Sequence, residues 1–516
     1  MLGLIVFGVC LLTYLAGGQS QPGNDATANV RQALQLIEHG GLFFTPEDNP
    51  KMFVFAEAAP GEKKTARIRD WQIPYQGRPA RDAYAQGKIR VDQPAYYLVP
   101  TRHPGKYANT FGVGAGLFAA PIVIPASLVV HDLANNPDLL WWLAKIAAAL
   151  SVAGTVFILY LAALGRFSPR ASAFLALAYG LGTCAFSVSS QALWQHGPCE
   201  MFLALGAYFL MTNSDKRNHL LCGLAFALAT ACRPTAALVV ICVGVHLLVV
   251  DRRRLFWFGL GSLPIAMALV AYSAYAFGTF MSVGQLKIAA EIAKAKTGQP
   301  DIWQTPLWEG VPGLLLSPAR GLFVYSPLAL FAVWGAGRAF RDSAWRDLRP
   351  LAVAAVLLLG VAAKRFDWWG GWCFGYRPIV DVVILLAFLS FPLLETLSSR
   401  RPLQVICGVL FAYSFAIQLL GAFVYDVAAW NARVVWDVKL PGTNHRLSFD
   451  DPVAAKRYIQ EHGGQPEKRE LSVDARENRW RLWSLTDSPT VYFLANFSRA
   501  IEARKAATAE FLHDDG

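Results

Sequence analysis

Apolar residues come in blocks along this chain, and charged residues collect in the breaks between them. The run LFWFGLGSLPIAMALVAYSAYAF, residues 255–277, carries no charge over a length of helix that matches the hydrocarbon core of a bilayer. Runs of this kind predict an all-α polytopic membrane protein with about 11 transmembrane helices, at 2–16, 139–164, 171–190, 199–213, 219–231, 235–250, 255–277, 322–337, 350–363, 378–394 and 402–425. Several fall short of the roughly 20 residues a crossing needs, so they must draw in flanking polar residues or stand with little tilt. Segment 111–130 is also apolar, but Gly112, Gly114, Gly116, Pro121 and Pro125 make a poor continuous helix. It is read as a helix or broken helix lying on, or dipping into, the outer leaflet. The first run lacks the basic n-region of a signal peptide and is read as a span.

Composition agrees with this picture. Of 516 residues, 54% are hydrophobic and 16% charged, against about 25% charged in an average soluble protein, and mean hydropathy is +0.34. These values exclude disorder, collagen-like repeats and a disulfide scaffold; most of the eight cysteines sit inside apolar runs as small hydrophobes. The formal charge of +11 does not mark a nucleic-acid binder, because the basic residues are scattered through the loops. Their distribution orients the chain instead. One alternating set of short loops holds 13 basic residues: Arg166, Arg170, Lys216, Arg217, Arg252, Arg253, Arg254, Arg338, Arg341, Arg346, Arg349, Arg400 and Arg401. The opposite set holds four, namely Arg233, Lys364, Arg365 and Arg377. The positive-inside rule makes the first set cytoplasmic. The first loop 18–138, the long loop 278–321 and everything from Asp426 onward are then extracytoplasmic. This last region, 426–516, has a higher charge density than 1–425, and DDPVAAKRYIQEHGG and SPTVYFLANFSRAIEARKAATAEF read as short amphipathic helices of a small cap.

The outer loops carry ionisable and aromatic residues beside span ends. Asp25 follows the first run, and Asn24 or Asp25 can cap a helix of about 26–38 with Val30, Ala33, Leu34 and Ile37 on its apolar face. A carboxylate held at the lipid-water boundary is also where a base for a lipid-linked substrate must stand. His196 and Glu200 bracket a span start in SSQALWQHGPCEMF, beside Trp194. Either can be a plain interfacial or helix-start residue, yet ionisable groups near spans are costly enough to mark function. Arg233 in ACRPT, Arg320 in LLLSPARGLFVYSP and Arg377 in KRFDWWGGWCFGYRPIVD bring guanidinium forks, which suit phosphate oxygens. Trp368, Trp369, Trp372 and Tyr376 supply flat faces for a sugar or for an aromatic belt, and Gly370 and Gly371 permit a sharp turn or close backbone approach. The chain has no GxxxxGK[ST], no Rossmann GxGxxG, no HExxH and no CxxC.

These segments together resemble the GT-C superfamily of integral-membrane glycosyltransferases, whose members include protein O-mannosyltransferases and lipid A aminoarabinose transferases. The resemblance lies in the carboxylate after the first span, HPGKYANTFGVGAGLFAAP, the LWQHGPCE loop, SPARGLFVYSP and WWGGWCFGYR, over about residues 1–425. It implies a sugar on a polyprenyl phosphate as donor, a lipid, glycan or protein acceptor, and an active site at the outer face of the cytoplasmic membrane, with 111–130 as a juxtamembrane helix. Asp25 matches the family's first-loop carboxylate, although relatives carry an acidic pair where this chain has Asn24 and Ala26; a divalent metal is left open by the departure. His196 falls where relatives often carry an acid, with Glu200 one turn on.

A polyprenyl phosphate leaves as a stable anion, so arginines can take the place of a general acid, and one carboxylate suffices as base for the acceptor hydroxyl. The expected roles are Asp25 as base, with His196 and Glu200 as the other catalytic candidates. Arg320 and Arg377 lead as phosphate ligands and Lys287 and Arg233 follow, with Trp194 and the aromatic residues named above stacking on sugar. Direct displacement would invert the anomeric centre. The rival from another class, a transporter or flippase for a lipid-linked sugar, predicts charges deep inside spans and internal repeats; neither is evident in the sequence.

Overall fold

In the computed structural model of the chain, the apolar runs begin at ordinary helix caps. Asn136 Oδ1 accepts from the Leu139 amide at 3.2 Å and Ser168 Oγ from the Ala171 amide at 3.3 Å, each with proline following. Asp251 likewise accepts from the Arg253 and Arg254 amides. The structure describes residues 1–18, 24–57, 65–66, 74–75, 78–212, 215–281, 283–397, 399–439, 446–450 and 452–515.

The helices are α1 (Leu2–Ala16), α2 (Thr27–Glu38), α3 (Ala80–Ala85), α4 (Gly114–Val129), α5 (Pro137–Leu164), α6 (Pro169–Gly182), α7 (His196–Met211), α8 (Lys216–Cys232), α9 (Ala237–Val250) and α10 (Arg252–Phe277). They continue as α11 (Gly284–Thr297), α12 (Leu307–Leu316), α13 (Leu322–Tyr325), α14 (Leu330–Arg341), α15 (Arg349–Lys364), α16 (Val380–Leu389), α17 (Phe391–Leu397) and α18 (Arg401–Phe423). The architecture is mostly helical, and helix covers the centre of every apolar run. Two expected spans are interrupted. The run 171–190 ends as α-helix at Gly182 and continues through a π-type turn, Ala185–Ser189. The run 322–337 breaks at Ser326 because Pro327 has no amide to donate. The 378–394 run bends by 43° between α16 and α17. Among the described residues α5, α10 and α18 are each long and apolar enough to cross a bilayer alone, and the bent pair qualifies together. Segment 111–130 is one unbroken helix, α4, despite Pro121 and Pro125. Its glycines explain the tolerance: a Cβ on Gly114 would overlap the Ala231 backbone and one on Gly116 would overlap Gln32, so α4 lies directly against α8 and α2.

The basic loops gather at one end of this bundle. Arg166 donates to the Ala344 carbonyl at 3.3 Å and lies 4.8 Å over the Trp345 ring. His246 faces Asp347 at 3.4 Å, and Arg338 pairs with Asp342 and with Glu395 after α16. α15 runs from this end, at Arg349, to the opposite one at Lys364.

Two further regions pack on that opposite end. In the first loop, Phe53–Glu57 pairs antiparallel with Ile89–Pro94, and Leu98–Pro100 with Tyr107–Asn109, around a small core of Phe44, Phe53, Phe55 and Leu98. After α18 a three-stranded antiparallel sheet forms from Ala432–Lys439, flanked by Gln465–Ser472 and Arg446–Phe449. The sheet is an addition to the helices expected there, which are present as Pro452–His462, Pro489–Ala495 and Phe497–Asp515. Arg504, on the last of these, is buried; it donates to the Ala422 carbonyl at the end of α18 and, at 3.5 Å, to Gly17 at the end of α1.

Candidate functional site

Asp25 lies in the single 3-10 turn Asn24–Ala26 that leads into α2, so the start of the first amphipathic helix positions it. Its Oδ1 accepts from the Tyr96 hydroxyl, and its Oδ2 accepts from Arg377 Nη1 at 3.1 Å. Burial, and then the Asp25 charge, hold the Tyr96 phenol well above its usual range, so it remains a donor. Arg377 also donates from Nη2 to the Gly370 carbonyl at 3.0 Å, and its guanidinium lies 5.0 Å over the Trp194 ring. The carbonyl is turned toward Arg377 by a backbone that only glycine adopts easily, with φ of +76° at Gly370 and +65° at Gly371.

A second cluster stands beside the first. His196, at the start of α7, has Nδ1 at 3.0 Å from Asp381 Oδ1, in the first turn of α16. Asp381 Oδ2 is paired with Arg233 Nη1, and Arg233 Nη2 donates to the Pro378 carbonyl at 3.2 Å. His196 Nδ1 thus stands between Asp381 Oδ1 and Arg233 Nη1, which also lies against it. All these side chains line one cavity of about 200 Å³. Asp25, Trp194, His196, Arg233, Arg377 and Asp381 form its polar wall; Leu358, Val361, Ala362 and Val382, on α15 and α16, form an apolar one. Arg365 and Asp367 also line it and pair with each other at 3.0 Å. The cavity thus holds three arginines and three aspartates, matched pair by pair. Such a site can take up an anionic head group beside a neutral, hydroxylated one.

The sequence-predicted residues therefore divide. The fold brings Asp25, Trp194, His196, Arg233 and Arg377 together. Glu200 is fully buried away from this cavity, where it accepts from Tyr179 at 2.5 Å and Ser189 at 2.6 Å and ties α7 to α6 and the π-type turn. Arg320 is also fully buried and faces away from it; Nε donates to Trp369 O, Nη1 to Ala319 O, and Nη2 to Gly371 O and Asn431 Oδ1. Trp368 and Trp369 are buried, bonded through Nε1 to Glu309 and Asp474. Tyr376 is buried with its hydroxyl on the Cys184 amide and Ser326. Trp372 is 39% exposed and does not line the cavity. Lys287 is exposed on α11, 5.5 Å from the Phe277 ring, next to the cavity residues Gln285 and Leu286. Among the described residues no three His, Cys, Asp or Glu side chains group to hold a metal ion, and each cavity carboxylate is matched to an arginine.

Asp381 and the Arg365–Asp367 pair were missed. Asp381 stands one turn into an apolar run, and an acidic residue in such a place is itself the signal that could have found it.

Residues 130–276 match the family model described as dolichyl-phosphate-mannose-protein mannosyltransferase. This match bears out the GT-C resemblance read from the sequence motifs. A solved structure, that of ArnT from Cupriavidus metallidurans bound to undecaprenyl phosphate, aligns over 81% of this chain at 14% identity with a TM-score of 0.44. The chain spans 62% of the length of that protein. No curated protein matches the chain.

Proposed function

We propose that this chain is a membrane glycosyltransferase, which moves a sugar from a polyprenyl phosphate to an acceptor hydroxyl at the outer face of the cytoplasmic membrane. The observation that carries the reading is the cavity. It joins a carboxylate, an arginine within reach of it, a histidine and an aromatic face, all at the end of the bundle opposite the basic loops. The family match over 130–276 supports the same reaction class. Arg377 holds the donor phosphate and offsets the charge that grows on it as the glycosidic bond breaks. Asp25 takes the proton of the attacking hydroxyl, and displacement inverts the anomeric centre. Arg233 is engaged by Asp381 and supports His196, so it acts on the phosphate through field more than through contact.

The test is Asp25→Asn. Asparagine preserves size, and α2 has Ala26 at its N-cap with no side-chain cap, so helix entry does not depend on the Asp25 carboxylate, contrary to the capping expectation; protein inserted normally in membranes should lose sugar transfer from polyprenyl-phosphate donors by roughly a hundredfold or more. Transfer at the wild-type rate would remove Asp25 from the reaction.

A further inference from the structure

The base of this site is not free. Both oxygens of Asp25 are engaged, one by the Tyr96 hydroxyl and one by Arg377. A carboxylate so held has no oxygen left to turn toward an acceptor hydroxyl until one donor lets go. The same pairing occupies the guanidinium that the donor phosphate needs: Nη1 is given to Asp25 and Nη2 to Gly370. Among the described residues that line the cavity, the other two arginines, Arg233 and Arg365, are paired with Asp381 and Asp367.

We propose that Arg377 is a shared ligand: the donor phosphate takes it from Asp25, so that donor binding is the step that creates the base. This rests on the glycosyltransferase reading above and adds an order to it. Before the donor binds, Asp25 is locked and offers no free oxygen to an acceptor or a water in the site. Once the phosphate holds the Nη1 edge, Asp25 keeps only Tyr96 and can take the hydroxyl proton as the acceptor oxygen bonds to the anomeric carbon and the carbon–phosphate-oxygen bond breaks. The proton then neutralises Asp25, which no longer competes for Arg377. The product lipid phosphate stays bound until Asp25 loses that proton and reclaims the guanidinium.

The prediction is read by binding, with undecaprenyl phosphate as the probe and the purified full-length protein in nanodiscs. If the ion pair is a competitor, the measured dissociation constant is the intrinsic one divided by the fraction of time the site is open. Asp25→Asn should therefore tighten binding by roughly three- to tenfold, and Tyr96→Phe, which loosens Asp25 without removing a charge, should tighten it by less. Arg377→Gln should weaken binding, and adding Asp25→Asn to it should restore nothing. Equal or weaker binding by Asp25→Asn, with Arg377→Gln still weakened, overturns the shared-ligand idea and leaves the donor site standing. A gain that survives in the double variant overturns it too, since the effect would then be one of net charge. If Arg377→Gln binds like wild type, Arg377 is no phosphate ligand and both readings fall. Thermal unfolding of each variant in the same nanodiscs separates a lost fold from a lost site.

Discussion

Arg320 and Arg377 carry the same guanidinium to opposite ends, because of what surrounds them. Arg377 borders the cavity and shares its charge with Asp25; Arg320 is shut away from solvent, with three backbone carbonyls and Asn431 as its partners. Its work is to tie the glycine turn at 370–371 to the C-terminal region, with Trp430 lying 5.3 Å from the guanidinium. Arg320→Lys keeps the charge but cannot reach four acceptors, so it should cost about 3 kcal/mol or more of stability, the scale of losing hydrogen bonds to a buried charge. A melting experiment should show the loss, while undecaprenyl phosphate affinity of the folded protein stays as in wild type. The reverse pattern, normal melting with lost affinity, would return Arg320 to the phosphate. The sequence could not separate these two arginines, since both stand just before apolar runs and both stand near glycine. Asp25 and Arg377 are 352 positions apart, and His196 and Asp381 are 185 apart; no local pattern records who meets whom across such distances.

At the scale of elements, the packing of α8 on α10 shows how closely these helices approach. A Cβ on Gly223 would overlap the Phe258 carbonyl, and one on Gly261 would overlap the Leu220 carbonyl, so each helix presents a glycine to the backbone of the other. Ser262 Oγ crosses the same contact to the Gly223 carbonyl at 3.0 Å. Leucine at either glycine must push the pair apart, and through α8 it moves the turn that holds Arg233. Gly261→Leu should therefore cut the yield of monodisperse protein several-fold, whereas Gly259→Leu, with open space around it, should not; size-exclusion profiles in detergent decide. Helices of this kind were legible because lipid exposure demands a composition, and long apolar runs admit few other structures. The breaks at Gly182 and Ser326 were less so, because glycine and proline occur in intact helices here as well, α4 among them. The C-terminal sheet escaped notice for another reason: its edge strand, QPEKRELS, is mostly exposed and charged, and only its pairing with Ala432–Lys439 makes it a strand.

For the molecule as a whole, the two ends differ in charge pattern as the loops foretold. The thirteen basic residues lie in short connections and in the terminal turns of the helices they join, with Arg166 and Arg338 marking one end, and the paired cavity lies at the other. The proposed orientation, which follows the positive-inside rule, has the cavity outside; under it a reporter that fluoresces only in cytoplasm, fused after Gly516, should stay dark, and a bright fusion reverses the topology and moves the site to the wrong face. The contact made by Arg504 bears on how such a bundle is made. Its guanidinium joins the ends of α1 and α18, and 487 positions separate it from Gly17. During synthesis, then, the bundle closes in two stages: Tyr14 can tie α1 to the Gly180 carbonyl as soon as α6 is made, but the bond that joins the ends of α1 and α18 must wait for Arg504. A polypeptide that stops short of that residue has its helices but not this clasp.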